Sequence, residues 1–290
     1  MGGNKLAAEW TVREVLNWTR GYFKNAGISQ PRLEAEILLA HTLDVERLQL
    51  YLSPDKPLTA QERSGYRTAI QKRRGGMPLQ HIIGEVSFFG LTFRVNGDTL
   101  VPRPETEELL DHTLKLTPRN QDITCLDLGT GSGAIAVCLA RYLPRASVVA
   151  ADISEKALAL AKENAARNGV RDRVVFVQSD WFENVRGRFD FIASNPPYIS
   201  EEEWLRLPTD VKDHEPRVAL DGGIGGIEQL AAIAESVMEH LNPDGRVLFE
   251  IGATQGKAVA DMLDRAGLIE IRIERDLAGK ERFAIARCPS

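Results

Sequence analysis

Between residues 11 and 74, apolar positions recur at the three- and four-residue spacing of helices. Val12, Val15, Leu16, Trp18 and Phe23 form one stripe, Leu33, Ile37 and Leu38 a second, and Leu48 and Leu52 a third. Thr11 with Glu14 and Thr59 with Glu62 have capping-box spacing, Pro31 suits a first helical turn, and Gly27 and Gly75-Gly76 suit helix exits. The pattern predicts four or five short helices packed as a bundle. His41, set among core-like neighbours, is expected as a packed or capping histidine rather than a ligand.

After the basic run Lys72-Arg73-Arg74 the period changes. Ile82 to Phe89 and Leu91 to Val95 are short β-prone runs joined at Gly90, which predicts a hairpin. Val101 to Glu107 holds Pro102 and Pro104, an extended entry to a helix from about Glu105 to Leu116. There Arg103, Glu105 and Thr106 are placed either to face a ligand or to cap that helix.

From Ile123 onward strands and helices alternate, the signature of a parallel sheet covered on both faces. The expected strands are Thr124 to Leu128, Ser147 to Ala151, Val174 to Gln178, Phe189 to Ala193 and Gly245 to Ile251. Between them lie helices Ala134 to Arg141, Glu155 to Asn168, Ile227 to Leu241 and Gln255 to Ala266. A closing hairpin pairs Leu268 to Arg275 with Arg282 to Arg287, and the polar, proline-broken stretch Glu201 to Leu220 reads as a lid.

Candidate chemistry collects at the carboxyl ends of these strands, where open α/β sheets bind ligands. Gly129-Thr130-Gly131-Ser132-Gly133 follows the first strand, and its glycines let backbone pass close to a ligand; a tight strand-to-helix turn would use them too. Asp152, nineteen residues beyond Gly133, is placed to accept both hydroxyls of a ribose, with helix capping as its plainer role. Asp180 could accept from an adenine amine and Trp181 could pack on its ring, or the two could simply form a strand-end turn. After the fourth strand comes Asn195-Pro196-Pro197-Tyr198. Two prolines stiffen the loop and keep the Asn195 and Pro196 carbonyls out of a continuing ladder, so a row of acceptors stands beside an aromatic ring. Such a row suits a planar NH2 group, its hydrogens taken by the Asn195 side chain and a backbone carbonyl and its face covered by Tyr198.

Composition narrows the setting. The 290 residues are 43% hydrophobic, enough for one large or two ordinary domains. No apolar stretch is long enough to cross a bilayer and no secretion signal is visible; Leu6 stands where a myristoylation motif after Gly2 needs Ser or Thr. A cytoplasmic, monomeric protein with no membrane or direct nucleic-acid partner is expected. Cys125, Cys138 and Cys288 lack metal-ligand spacing and are expected as reduced structural thiols, and no metal is called for. The net charge is −5, unevenly spread: residues 1–77 carry 12 Lys+Arg against 8 Asp+Glu, the remainder 24 against 33. The basic part is either a docking surface for an acidic or ribonucleoprotein partner or an ordinary solvated face.

Asp127 to Gly133, Asp152, Asp180-Trp181 and Asn195 to Tyr198 occur in the order found in S-adenosylmethionine-dependent class I methyltransferases of amino nitrogens. The chain as a whole resembles the protein-(glutamine) methyltransferases that modify peptide-chain release factors. The resemblance extends to the N-terminal helices, the hairpin around Gly84 and Phe89-Gly90, Val101 to Glu107, Glu215-Pro216 with Ala219-Leu220, and Asp276 to Arg282. Gly225 departs from it, standing where an acidic residue is expected.

The resemblance implies a Rossmann-like α/β catalytic domain with a mostly parallel seven-stranded sheet over 101–290. A helical, substrate-docking domain over 1–76 and a β-hairpin connector over 77–100 would precede it. It implies S-adenosylmethionine held by Gly129, Thr130, Gly131, Ser132, Gly133, Asp152, Asp180, Trp181 and Asn195. It implies catalysis by Asn195, Pro196 and Tyr198, with Pro197, Phe89 and Arg103 also on the substrate side. The substrate would be the glutamine of a release factor's Gly-Gly-Gln loop. The nearest rival is an adenine-amine methyltransferase of DNA or RNA, against which stand the acidic catalytic half and the lack of a target-recognition domain. A non-catalytic module keeping the fold as a scaffold is disfavoured by the intact glycine loop, Asp152 and Asn195.

Overall fold

A computed structural model of the chain describes residues 10–117 and 121–290. The chain divides into two compact units, one running to Ile83 and including Thr209–His214, the other comprising Gly84–Pro208 and Glu215–Ser290.

The first unit contains α1 (Val12–Asn25), α2 (Pro31–Leu43), α3 (Gln49–Leu52), α4 (Ala60–Arg74) and α5 (Leu79–Ile83). Both capping boxes form, Thr11 with Glu14 and Thr59 with Glu62, and Pro31 opens α2. Val12, Val15 and Phe23 meet Leu38, Leu39, Tyr66 and Ile70 in one core. The third apolar stripe does not join them. Leu48 and Leu52 are 68% and 72% exposed, because α3 is a single turn that turns Leu50 inward instead. Glu34 and Glu36 of α2 are buried as well, and their burial is compensated by charge: Arg73 lies 2.5 Å from Glu34, and Arg32 and Arg47 lie 2.8 and 3.3 Å from Glu36. His41 is likewise exposed in the last turn of α2 rather than packed.

The second unit opens with the hairpin β1 (Glu85–Phe88) and β2 (Leu91–Arg94). Its first strand is shorter than the sequence pattern predicts, since residues 79–83 close the preceding unit as α5. Nor is the hairpin a free connector. Phe88 and Phe93 are fully buried in the core of the second unit, and Asn164 holds the backbone of Arg94 from both sides, accepting from its N–H at 2.7 Å and donating to its carbonyl at 3.0 Å.

Helix α6 (Pro104–Leu116) precedes the alternating elements β3 (Ile123–Leu128), α7 (Ala134–Tyr142), β4 (Ala146–Asp152), α8 (Glu155–Arg167), β5 (Val174–Gln178) and β6 (Phe189–Ser194). The supposed lid is largely helical, with α9 (Glu201–Arg206), capped by Ser200 and Glu203, α10 (Thr209–His214) and a 3-10 turn at Arg217–Ala219. The helix expected from Ile227 to Leu241 is α11 (Glu228–Ser236) followed by a 3-10 turn. Then come β7 (Leu241–Glu250), α12 (Gly256–Arg265), β8 (Ile269–Arg275) and β9 (Glu281–Arg287).

The seven strands lie in the order β5-β4-β3-β6-β7-β9-β8, parallel except where β9 runs against β7 and β8. Alternating strand residues feed two cores. Cys125, Val148, Ala150, Phe191 and Ala193 pack with α6, α7, α8 and the hairpin, while Leu126, Leu128, Ala151, Ile192 and Phe249 pack with α11 and α12. The chain winds outward from β3 to β5 and then returns to β6 on the other side of β3, so a crevice opens at the carboxyl ends of β3 and β6. Cys125, Cys138 and Cys288 are buried free thiols. Among the described residues no helix is long and apolar enough to cross a membrane.

Candidate active site

The crevice holds a cavity of about 620 Å3, built entirely from the second unit. Its floor is the loop from β3 to α7. Asp127, wholly buried at the end of β3, shapes that loop: its Oδ2 accepts from the Thr130 hydroxyl at 2.6 Å and the Ala136 N–H at 2.9 Å. Burial, only partly offset by those donors, pushes the Asp127 carboxyl up to about 7. Gly129 adopts φ +70°, with the Trp181 ring 3.6 Å from where a β-carbon would stand. Gly133 is at φ +84°, and its missing β-carbon lets α8 approach, since one would lie 3.0 Å from Ala161 Cβ.

Asp152 ends β4 facing this loop. Its Oδ2 accepts from the Gly131 N–H at 2.8 Å and its Oδ1 from the Ser154 N–H at 2.9 Å, so the carboxylate steadies the cradle, while α8 is capped by Ser154 rather than by Asp152. Burial raises its pKa and the backbone N–H donors lower it, with burial the larger influence. Asp180 is exposed on the cavity wall, and the half-buried Trp181 beside it takes φ +40° while its indole N–H donates to Gln229 at 3.1 Å.

Asn195 and Pro197 line the opposite wall. The Asn195 Nδ2 donates to the Thr106 hydroxyl at 3.0 Å, Thr106 donates to Glu250 Oε2 at 2.7 Å, and the Tyr198 hydroxyl donates to Glu250 Oε1 at 3.1 Å. Among the described residues no donor reaches Asn195 Oδ1 or the Asn195 and Pro196 carbonyls. The Tyr198 carbonyl, by contrast, is taken by Gln255 Nε2 at 2.9 Å, and the loop is tied onward through Ile199 N–H to the Leu220 carbonyl at 2.9 Å.

Of the residues singled out from sequence, Thr106, Gly129, Thr130, Gly131, Ser132, Asp152, Asp180, Trp181, Asn195 and Pro197 share this one cavity. Six others do not line it, Glu105 on the first turn of α6 among them. Gly133 lies beneath the loop against α8, and Pro196 is buried. Tyr198 turns to Glu250, with Arg282 5.9 Å from its ring centroid. Phe89 is held in the hairpin turn at φ +48°, its ring edge-on to Tyr142 at 5.3 Å. Arg103 is ion-paired with Glu215 at 2.6 Å. Arg217, Val218 and Gln229, which line the cavity, and Glu250, which reaches Asn195 through Thr106, were not singled out. A lone acid ending the apolar run Val247-Leu248-Phe249 was the available signal for Glu250.

The cavity falls within the range of about 300–1,000 Å3 usual for small-molecule sites. A glycine floor, a strand-end carboxylate, a second carboxylate and an indole suit the amino-acid, ribose and adenine parts of S-adenosylmethionine, so the residues fit that cofactor. The strand order, with β9 inserted antiparallel between β7 and β8, defines a class I methyltransferase, and residues 106–207 match the methyltransferase small domain. A methyltransferase structure from Pyrococcus furiosus shares the fold, with a TM-score of 0.54 at 22% identity over 79% of this chain and 98% of that one.

Residues 7–84 match the PrmC N-terminal domain. Release factor glutamine methyltransferases from Rhodopirellula baltica and Cereibacter sphaeroides are 41% and 43% identical to this chain. They cover 94% and 91% of it and 95% and 94% of their own lengths. The chain belongs to the release factor glutamine methyltransferase family.

Proposed function

We propose that the protein transfers a methyl group from S-adenosylmethionine to the side-chain amide nitrogen of the glutamine in the Gly-Gly-Gln motif of peptide-chain release factors. Family membership supports the reaction, and one observation carries its chemistry. The NH2 of Asn195 is committed to Thr106, which leaves its oxygen as an unused acceptor on the cavity wall.

When bound, the cofactor supplies an electrophilic methyl group. An amide nitrogen is a poor nucleophile because its lone pair is delocalised into the carbonyl, so the protein's task is to orient it. Asn195 Oδ1 and a backbone carbonyl of the Asn195-Pro196 pair accept the two amide hydrogens and aim the nitrogen at the cofactor side of the cavity. The same acceptors stabilise the partial positive charge that develops on nitrogen as the new bond forms. Asp152 receives the ribose hydroxyls, Asp180 the adenine amine, and the helical unit docks the release factor.

Incubating a purified release factor with the protein and S-adenosylmethionine, followed by intact-mass and peptide analysis, tests the reading. It predicts a single added methyl group on the Gly-Gly-Gln glutamine. Unmodified release factor, with the methyl group recovered on adenine when nucleic acid is offered alongside, would overturn it.

A further inference from the structure

A side-chain amide has nearly the same shape either way round, so what fixes Asn195 decides whether the substrate meets an acceptor or a donor. Its neighbours come from distant parts of the chain. Thr106 stands on the first turn of α6 and Glu250 ends β7, 144 residues later. Both are buried.

The Thr106 hydroxyl has a single hydrogen to give. An ionised Glu250 only accepts, so that hydrogen points to its Oε2 at 2.7 Å. The lone pairs of Thr106 Oγ1 then face Asn195, which must answer with Nδ2, at 3.0 Å. The Tyr198 hydroxyl donates to the other carboxylate oxygen at 3.1 Å, so both oxygens of Glu250 serve as acceptors. One negative charge thereby sets the direction of every bond in the row.

We infer that Glu250, acting through Thr106, is a positioning residue that holds the Asn195 amide with its oxygen toward the substrate glutamine. The inference rests on the proposed role of Asn195. A proton on Glu250 Oε2 would reverse the row: the carboxyl donates to Thr106, Thr106 donates to Asn195 Oδ1, and the amide turns its NH2 toward the NH2 of the substrate. The groups facing Glu250 are Tyr198 from the loop after β6, Arg282 from β9, and Glu105 with Thr106 from α6; Arg282 is itself anchored to Asp276 at 3.4 Å and to the Ile251 carbonyl at 3.0 Å. Burial pushes the Glu250 carboxyl up to about 6, against the pull of Thr106, Tyr198 and Arg282 and with a small push from Glu105. The reversal is therefore expected as the pH falls through the raised Glu250 range.

Three variants of the full chain test this with release factor as substrate. Thr106→Val keeps the shape but has no lone pair for Asn195, and is expected to lower kcat by about 10–100-fold while cofactor affinity, read by calorimetry, changes far less. Thr106→Ser restores the hydroxyl and should recover most of that loss. The wild-type kcat is expected to fall about tenfold as pH drops from 7.5 to 5, following protonation of Glu250, and Glu250→Gln should flatten this limb. A Thr106→Val enzyme with wild-type kcat, a Thr106→Ser enzyme as impaired as Thr106→Val, or an unchanged acid limb in Glu250→Gln would each overturn the inference. Failure of the underlying function shows separately, as absence of glutamine methylation by the wild type.

Discussion

Asp152 receives two backbone N–H groups at its own carboxylate and still faces the cavity, so it is both a structural and a cavity-facing group. Asp152→Ala is expected to weaken S-adenosylmethionine binding by about 1.5–3 kcal/mol, the usual worth of hydrogen bonds to a charged acceptor. Titration calorimetry reads this, and unchanged affinity would remove Asp152 from the cofactor site. Residues of this kind were legible because their partners are close in sequence: Asp152 follows the glycine loop by one strand-helix-strand unit, and Asn195 sits directly before two prolines. The contacts that orient Asn195 were not legible. Thr106 was open between capping and ligand roles, and nothing local connects it to Glu250, because the sheet order alone brings α6 and β7 together. Tyr198 was read as a cover for the substrate, yet Glu250 and Arg282 offer its hydroxyl and ring partners that only the folded sheet assembles.

Elements buried on both faces announced themselves as short apolar runs, so β3 to β6 lie within a residue or so of where the pattern put them. Errors fall where competing periods overlap. Ile82 and Ile83 are β-branched but close α5, and the chain after Ser236 tightens into a 3-10 turn that leads directly into β7. That strand begins at Leu241, ahead of the expected Gly245, and accommodates Asn242-Pro243-Asp244 through a register shift against β6 and a left-handed Asp244 at φ +63°. Close packing between elements is tested at Gly133, where α7 begins and α8 passes beneath. Gly133→Ala forces a side chain into φ +84° and sets its β-carbon 3.0 Å from Ala161 Cβ and 3.1 Å from Ala161 Cα. The conformational cost alone is about 1–2 kcal/mol, and repacking adds to it. Thermal denaturation should show a clear loss of stability with a smaller change in cofactor affinity than Asp152→Ala produces; an unchanged melting temperature would mean the loop and α8 are free to part.

For the molecule as a whole, the division of labour is one of charge and chemistry. The first 77 residues are net basic and hold none of the cavity lining, which runs from Asp98 to Gln229, whereas the remainder is net acidic and contains every residue that lines the cavity. Deleting residues 1–75 should therefore leave cofactor binding nearly intact while raising the apparent KM for release factor. A truncated chain as efficient as the whole one would remove the docking role. The unit boundary was only partly legible, because α5 closes the helical unit while the hairpin packs into the catalytic core through Phe88 and Phe93. The central claim, that Asn195 presents an acceptor to the substrate amide, is tested most directly by single-turnover methyl transfer to release factor with S-adenosylmethionine saturating. Asn195→Ala should be slower than wild type by about 10²–10³, the usual consequence of losing an orienting, charge-stabilising acceptor. Equal single-turnover rates for the two would contradict the account.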